Sequence, residues 1–436
     1  MIKYIEIGKS STIEQTTKNI RRQTNGSNDS EYVKKIMNDV EKNKDKSLLK
    51  YSLKFDKVRL TVNELKVKNK EIQEAYTILD PIIVKELKNL KKSIEMTEKK
   101  IMKEFKSSVK NVMINNGQSF IKYNSVPINS VGCYVPGGKA VYPSSLIMSA
   151  VPARIAGVDR IIVCSPPSSD KKISASVLVA ADLCNINEIY KVGGAQAIAA
   201  MGYGTNIIKP VEKIVGPGNY FVYQAKKIIS EKVGIDLPAG PSELLIIADN
   251  TADKELIVND LFAQSEHGLD SLCGVVTTSK KLSSDVIKLI KKRLPNIERK
   301  EIVKKSLLKN GFVVRCNSIQ QCINFTNDFA PEHLEIMTKE QDKVAKKITT
   351  SGVVLVGNYT PAAFSDYGLG TNHVLPTGGS AKFYSALSSI DFTRRFFIAK
   401  TTKTSLKNNL KKIEILSEQE GLFNHGKSAK VRFIKK

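Results

Sequence analysis

Only four histidines occur in the 436-residue chain, and each stands among polar or glycine-rich neighbours. They are His267 in Phe-Ala-Gln-Ser-Glu-His-Gly, His333 in Ala-Pro-Glu-His-Leu-Glu, His373 in Gly-Thr-Asn-His-Val-Leu-Pro and His425 in Gly-Leu-Phe-Asn-His-Gly. Imidazole is the commonest metal ligand and the side chain that exchanges protons near neutral pH. One histidine alone is more readily a surface or core residue, but four in such company point to a site. Gln264 and His267 are three residues apart on a predicted helix, so they share a face. With Asp366 of Phe-Ser-Asp-Tyr-Gly as a further oxygen donor they have the residue types of a zinc shell with an open position. The same spacing also describes an ordinary polar helix end. Glu332-His333 follows Pro331, which separates a predicted helix from a strand. Inside a strand the two would face opposite ways, whereas at its end both can line a cleft as general acid and base. Spacing leaves these alternatives open.

Four glycine-rich loops punctuate the chain. Cys133-Tyr134-Val135-Pro136-Gly137-Gly138 and Val192-Gly193-Gly194-Ala195-Gln196 each follow a predicted strand. So does Val215-Gly216-Pro217-Gly218-Asn219, while Leu237-Pro238-Ala239-Gly240-Pro241-Ser242-Glu243 precedes a second series of strands. Glycine lets backbone N–H groups approach a pyrophosphate, and a helix N-terminus favours its charge. The GxGxxG fingerprint is absent, so tight turns without a ligand fit equally well.

The elements that must carry these residues alternate from about residue 129 onward. Strands are expected at 130–135, 160–164, 189–192 and 213–215, with helices at 144–157, 174–184 and 196–201. A second series has strands at 244–248, 273–277, 312–315, 334–337 and 353–356. Its helices are expected at 253–265, 284–293 and 319–329. Such alternation predicts βαβ units and two doubly wound parallel sheets. Residues 1–125 read as lysine-rich helices with solvated charged faces, and beyond Phe383 the pattern loosens into helical and extended segments.

At about 150 residues per domain the length predicts two or three domains. A hydrophobic share of 41% and a charged share of 25% are ordinary for a globular chain, with no apolar run that would cross a membrane and no secretory signal pattern. The six cysteines are scattered and lack CxxC pairing, which predicts buried free thiols in a reducing cytoplasm. Net charge is +25, yet lysine outnumbers arginine 57 to 11 and is spread along the chain. Phosphate forks and base readout favour arginine, and no nucleic-acid-binding motif accompanies the charge, so nucleic acid is not the expected partner.

Taken together, the motifs resemble those of histidinol dehydrogenases. The resemblance runs in order through Gly132–Val158, Val192–Gly204, Lys213–Val222, Ile235–Asp249, Asp260–Asp270, Asn327–Met337, Gly352–Phe383 and Glu418–His425. It implies an α/β fold of two incomplete Rossmann-like domains with a small helical and extended dimerisation tail. The implied division is an N-terminal arm at 1–24 packing with the tail, a first domain of 25–129 with 239–383, a second of 130–238, and the tail at 384–436. It further implies oxidation of L-histidinol to L-histidine through L-histidinal by two hydride transfers to NAD, with zinc held by Gln264, His267, Asp366 and His425. His425 would come from the partner in a homodimer. Glu332 and His333 would be the catalytic pair. Ser242, His373 and Glu420 would join His333 and the zinc ligands around the substrate, and Tyr134, Gln196 and Asn219 would line the NAD site. The chain departs from the family pattern at Cys133, Leu369 and Thr371, none of them a proposed ligand or acid–base group. No cysteine sits beside a partner histidine, against a thioester route.

Overall fold

Strands that read as unbroken apolar runs end up buried on both faces, as parallel sheets covered by helices require. The structure, a computed structural model, describes residues 2–8, 12–22, 30–108, 111–114, 118–137, 141–237 and 240–434. Gly138, Pro238 and Ala239 of the glycine-rich loops lie outside the described residues. The strands in chain order are β1 (Lys3–Glu6), β2 (Asn111–Ile114), β3 (Ser119–Pro127), β4 (Ser130–Tyr134), β5 (Arg160–Ser165), β6 (Glu188–Lys191) and β7 (Lys213–Val215). They continue with β8 (Gly234–Ile235), β9 (Glu243–Ala248), β10 (Leu272–Thr277), β11 (Phe312–Arg315), β12 (His333–Met337), β13 (Val353–Val356) and β14 (Thr393–Thr401).

Two parallel sheets result. One has the order β6-β5-β4-β7-β8, and the other β1-β11-β10-β9-β12-β13. Both reverse direction at their first central strand, so each has a switch point, between β4 and β7 and between β9 and β12. Each sheet carries a core on either face, for example Ile147, Val163 and Leu178 against Ile162, Ile198 and Val222 in the smaller one. In the larger sheet Leu244, Val258 and Val275 lie on one face and Leu245, Phe325 and Ile336 on the other. All six cysteines are buried free thiols. No helix among the described residues is long and apolar enough to cross a membrane.

The N-terminal third is placed differently from the expected division. β1 pairs with β11 at the edge of the larger sheet, and the helix Ile13–Arg22 packs on the helix Ile319–Phe329. The helices Ser30–Asn43 and Pro81–Ser108 bury Val33, Ile36, Met37, Leu90 and Ile94 in the cores of the smaller sheet, not the larger. Their apolar faces determine that burial, whereas sequence order gives no sign of which sheet they cover. In the tail, β14 runs antiparallel to β3, and the helices Lys403–Gln419 and Phe423–Lys430 pack on each other.

Candidate active site

β12 begins where proline forbids continuation of a helix. The helix Ile319–Phe329 stops at Ala330, which takes the left-handed conformation at φ 50° and ψ 68° that non-glycine residues seldom adopt. Arg21 clasps this turn, with Nε 3.1 Å from the Phe329 carbonyl, Nη2 3.3 Å from that of Ala330, and the guanidinium 4.0 Å above the Phe329 ring. Pro331, Glu332 and His333 follow, and both Glu332 and His333 are buried, so the strand end turns the pair inward together.

Glu243, the first residue of β9, organises the pair. Its N–H donates to Glu332 Oε2 at 2.6 Å, and its carbonyl lies 3.1 Å from His333 Nδ1. The Glu243 carboxylate is held by Arg21 at 2.7 Å and accepts from Gly378 N–H at 2.9 Å. A carbonyl only accepts, so Nδ1 of His333 carries the hydrogen and Nε2 of the neutral ring is the basic atom. Nε2 is buried without a hydrogen-bond partner among the described residues and faces Asp366 Oδ1 at 3.9 Å. Burial alone would lower the pKa of His333, but the Glu332 carboxylate, then Asp366 and the Glu243 carbonyl, outweigh it and hold the ring up at about 9.

The same carbonyl of Glu243 accepts from Gln264 Nε2 at 3.5 Å, which turns the oxygen of that buried amide away. Gln264 lies on the helix Lys254–Ser265, started by the Asp253 side chain accepting from Glu255 N–H, and His267 follows its last turn. His267 is exposed on one side, yet the surrounding protein desolvates its ring and lowers its pKa, so the neutral form is favoured. Asp366, on the helix Ala362–Tyr367, lies 3.5 Å from His373 Nδ1. Burial favours its neutral acid, but the His373 hydrogen bond and the nearby imidazoles leave the carboxyl below its ordinary pKa. Neutral imidazole, amide oxygen and carboxylate are donors that suit zinc. Among the described residues of this single chain, however, no three His, Cys, Asp or Glu side chains form a ready metal cage.

The structure therefore brings Gln264, His267, Glu332, His333, Asp366 and His373 to one edge, with Ser242 immediately before Glu243. That edge is the amino-terminal one of the larger sheet, since His333 and Glu243 open their strands. Among the described residues, no hydrogen bond or ion pair joins His425 or Glu420 to this group. Both are exposed in the tail, and the His425 N–H bonds the Leu422 carbonyl.

The glycine-rich loops gather at the carboxyl edge of the smaller sheet. Tyr134, ending β4, accepts from Gly194 N–H at 3.1 Å through its hydroxyl. Gln196 is buried with Oε1 unpartnered among the described residues, a polar atom that a ligand donor would satisfy. Asn219 is exposed and caps the helix Tyr220–Ile229, so its Oδ1 is already engaged by Phe221 and Val222 N–H. Gly216 adopts φ +113°, and a Cβ there would sit 2.2 Å from the Tyr134 carbonyl oxygen, so its backbone must pass close. Lys226 and Asp236, both buried, brace this loop through the Gly216 carbonyl at 3.0 Å and N–H at 2.8 Å. The two edges meet where Ser145, in the helix after β4, bonds His373 Nε2 at 3.0 Å and Asn372 Nδ2 donates to the Met148 carbonyl at 2.7 Å.

A family model described as histidinol dehydrogenase matches residues 19–433. The chain belongs to the histidinol dehydrogenase family. It is 43% identical over 388 residues to the histidinol dehydrogenase of Methanothermobacter thermautotrophicus, covering 89% of each chain. It is 40% identical over 400 residues to that of Methanocaldococcus jannaschii, covering 92% of this chain and 91% of the relative. The crystal structure of histidinol dehydrogenase from Elizabethkingia anophelis superposes with a TM-score of 0.90 at 34% identity, covering 99% of this chain and 98% of that one. As a histidinol dehydrogenase the chain is an oxidoreductase of histidine biosynthesis that oxidises histidinol. Arg21, Glu243 and Ser145 were not singled out from sequence as parts of the site. A glutamate opening the otherwise apolar run Leu244–Ala248 was the one available signal.

Proposed function

We propose that the chain converts L-histidinol to L-histidine by way of L-histidinal, in two successive NAD-dependent oxidations at a zinc-dependent site shared between two subunits in the cytoplasm. The observation that carries this reading is the Nδ1 hydrogen bond of His333, which leaves Nε2 as a buried base directed at the donor cluster. Gln264, His267 and Asp366, with His425 of the partner subunit, would hold the zinc. When bound, zinc would orient the substrate through its imidazole and amine, and NAD would accept the two hydrides. His333 Nε2 takes the hydroxyl proton as the carbinol carbon becomes a carbonyl. Glu332 then takes a proton from the water that adds to the aldehyde, and His333, once its first proton has passed to solvent, takes the hydroxyl proton of the resulting hydrate as it becomes the carboxylic acid. In this geometry Glu332 Oε2 is fixed by Glu243 N–H, while Oε1 has no protein partner among the described residues and serves as the water-facing oxygen. Tyr134 and Gln196 would position the cofactor beside the His373–Ser145 link, with Asn219 acting through its helix cap. His373, Ser242 and Glu420 would contact the substrate.

A partner subunit is supported by the tail, where Phe397, Ile415, Leu416, Leu422 and Phe423 are exposed together with His425. NADH formation from histidinol by the purified protein, with and without a chelator, tests the reading. Two NADH per histidinol and loss of activity on chelation are expected. No NADH from folded, zinc-replete protein overturns it.

A further inference from the structure

Lys226 and Asp236 form a buried ion pair that the proposed proton transfers do not use. Their side chains are 2% and 0% exposed, and the Lys226 ammonium meets Asp236 Oδ1 directly. Lys226 lies on the helix Tyr220–Ile229, whose Val222, Ala225 and Ile229 belong to an apolar core of the smaller sheet. Side chains on a helix lean toward its N-terminus, so Lys226 is carried back beneath the first turn. Asp236 follows β8, at the edge of that sheet, and its N–H donates to the Ile214 carbonyl at 3.2 Å. Two charges in such a place lose their hydration, and well-packed apolar residues there are often as stable or more so. Stability alone gives no reason for the pair.

What the pair supplies is a hold on both polar groups of one backbone residue. Lys226 Nζ donates to the Gly216 carbonyl at 3.0 Å, and the Gly216 N–H donates to Asp236 Oδ2 at 2.8 Å. Gly216 in turn stands next to each residue proposed to position NAD. Its backbone runs against the Tyr134 carbonyl, so closely that only glycine fits. The Tyr134 hydroxyl accepts the Gly194 N–H at 3.1 Å, two residues before Gln196. Asn219 is three residues beyond Gly216 and caps the helix that carries Lys226. We propose that Lys226 and Asp236 are positioning residues for the cofactor, an ion pair beneath the glycine loop that fixes the Gly216 peptide groups and with them the spacing of Tyr134, Gln196 and Asn219. Neither side chain touches the cofactor in this assignment, because each acts through Gly216. It rests on the proposed NAD site.

Neutralising one partner alone would strand a desolvated charge, so the test replaces both. Lys226→Met with Asp236→Leu removes both hydrogen bonds to Gly216 and leaves apolar side chains of similar size. Lys226→Met with Asp236→Asn keeps an oxygen for the Gly216 N–H. With zinc-loaded full-length protein, NADH affinity is read by fluorescence titration without histidinol, beside the KM values for NAD and histidinol and the zinc content. The Met/Leu protein is expected to bind NADH about tenfold more weakly and to raise KM for NAD in step, since the loop must then be ordered on binding. Its KM for histidinol and its zinc content should stay near wild type. The Met/Asn protein should lose less, about threefold, because one of the two bonds remains. A folded Met/Leu protein with wild-type NADH affinity overturns the proposal, and so does an equal loss toward histidinol, which a merely structural role would produce. If Met/Leu does not fold, the same two outcomes are read from Met/Asn. Wild-type protein that binds no NADH would instead defeat the cofactor reading, and this proposal with it.

Discussion

Because the Glu243 carbonyl fixes Nδ1–H of His333, the proposed role of this ring as a base depends on Nε2 alone. The ring accepts a proton only when neutral, and its pKa is held up at about 9. Turnover is therefore expected to rise about tenfold per pH unit on the acid side and to level off by about pH 9. A cation bound by Asp366 would withdraw part of the charge that favours the protonated ring and move that limb downward. A rate independent of pH from 6 to about 9, read from kcat/KM, would contradict the assignment of the base. Glu332→Gln should slow aldehyde oxidation by about 10²–10⁴ while leaving zinc content unchanged, which stopped-flow assays started from histidinal can separate from the alcohol step. Equal slowing of both steps would show that Glu332 acts only by orienting His333. The residue types and motifs of this pair were legible in the sequence. Their joint burial was not, because alternation along a strand predicts opposite faces and only the strand-end turn at Pro331 brings them together.

Among the elements, the helix Ile13–Arg22 contributes more than a covering layer. Arg21 reaches the Glu243 carboxylate and the strained Ala330 turn together, and so joins β9 to β12 from the far end of the sequence. Removing one partner of a buried ion pair typically costs about 3–5 kcal/mol, since the remaining charge stays desolvated. Arg21→Ala should approach that loss in urea denaturation and lower kcat as well, and Arg21→Lys should not restore it, because a single ammonium cannot reproduce the fork on Glu243. Full stability and activity in Arg21→Lys would show that only its charge matters. The central strands and their following helices were readable from apolar periodicity. β1, with alternating exposure, and β3 and β14, with largely half-exposed or exposed residues, were not, because pairing distant in sequence rather than local pattern defines them.

For the whole molecule, the decisive arrangement is edge to edge: the carboxyl end of the smaller sheet meets the amino end of the larger across the Ser145–His373 bond. His425 lies outside this cleft in one chain, so the shared-site reading makes a stoichiometric prediction. Neither a His267→Asn homodimer nor a His425→Asn homodimer should turn over. Unfolding and refolding the two together should restore about a quarter of wild-type activity, because half the dimers are mixed and each mixed dimer has one intact site. No recovery from a refolded mixture shown to contain mixed dimers would place His425 in its own subunit's site. By itself the sequence determined the two parallel sheets, the buried thiols, and the chemical types and order of the site residues, because periodicity and motif spacing are local properties. Only the tertiary structure decided that Glu332 and His333 lie at the amino edge of their sheet, that the N-terminal helices cover the other sheet, and that Glu243 and Arg21 hold this pair. Those outcomes depend on packing between segments hundreds of residues apart, which no local pattern encodes.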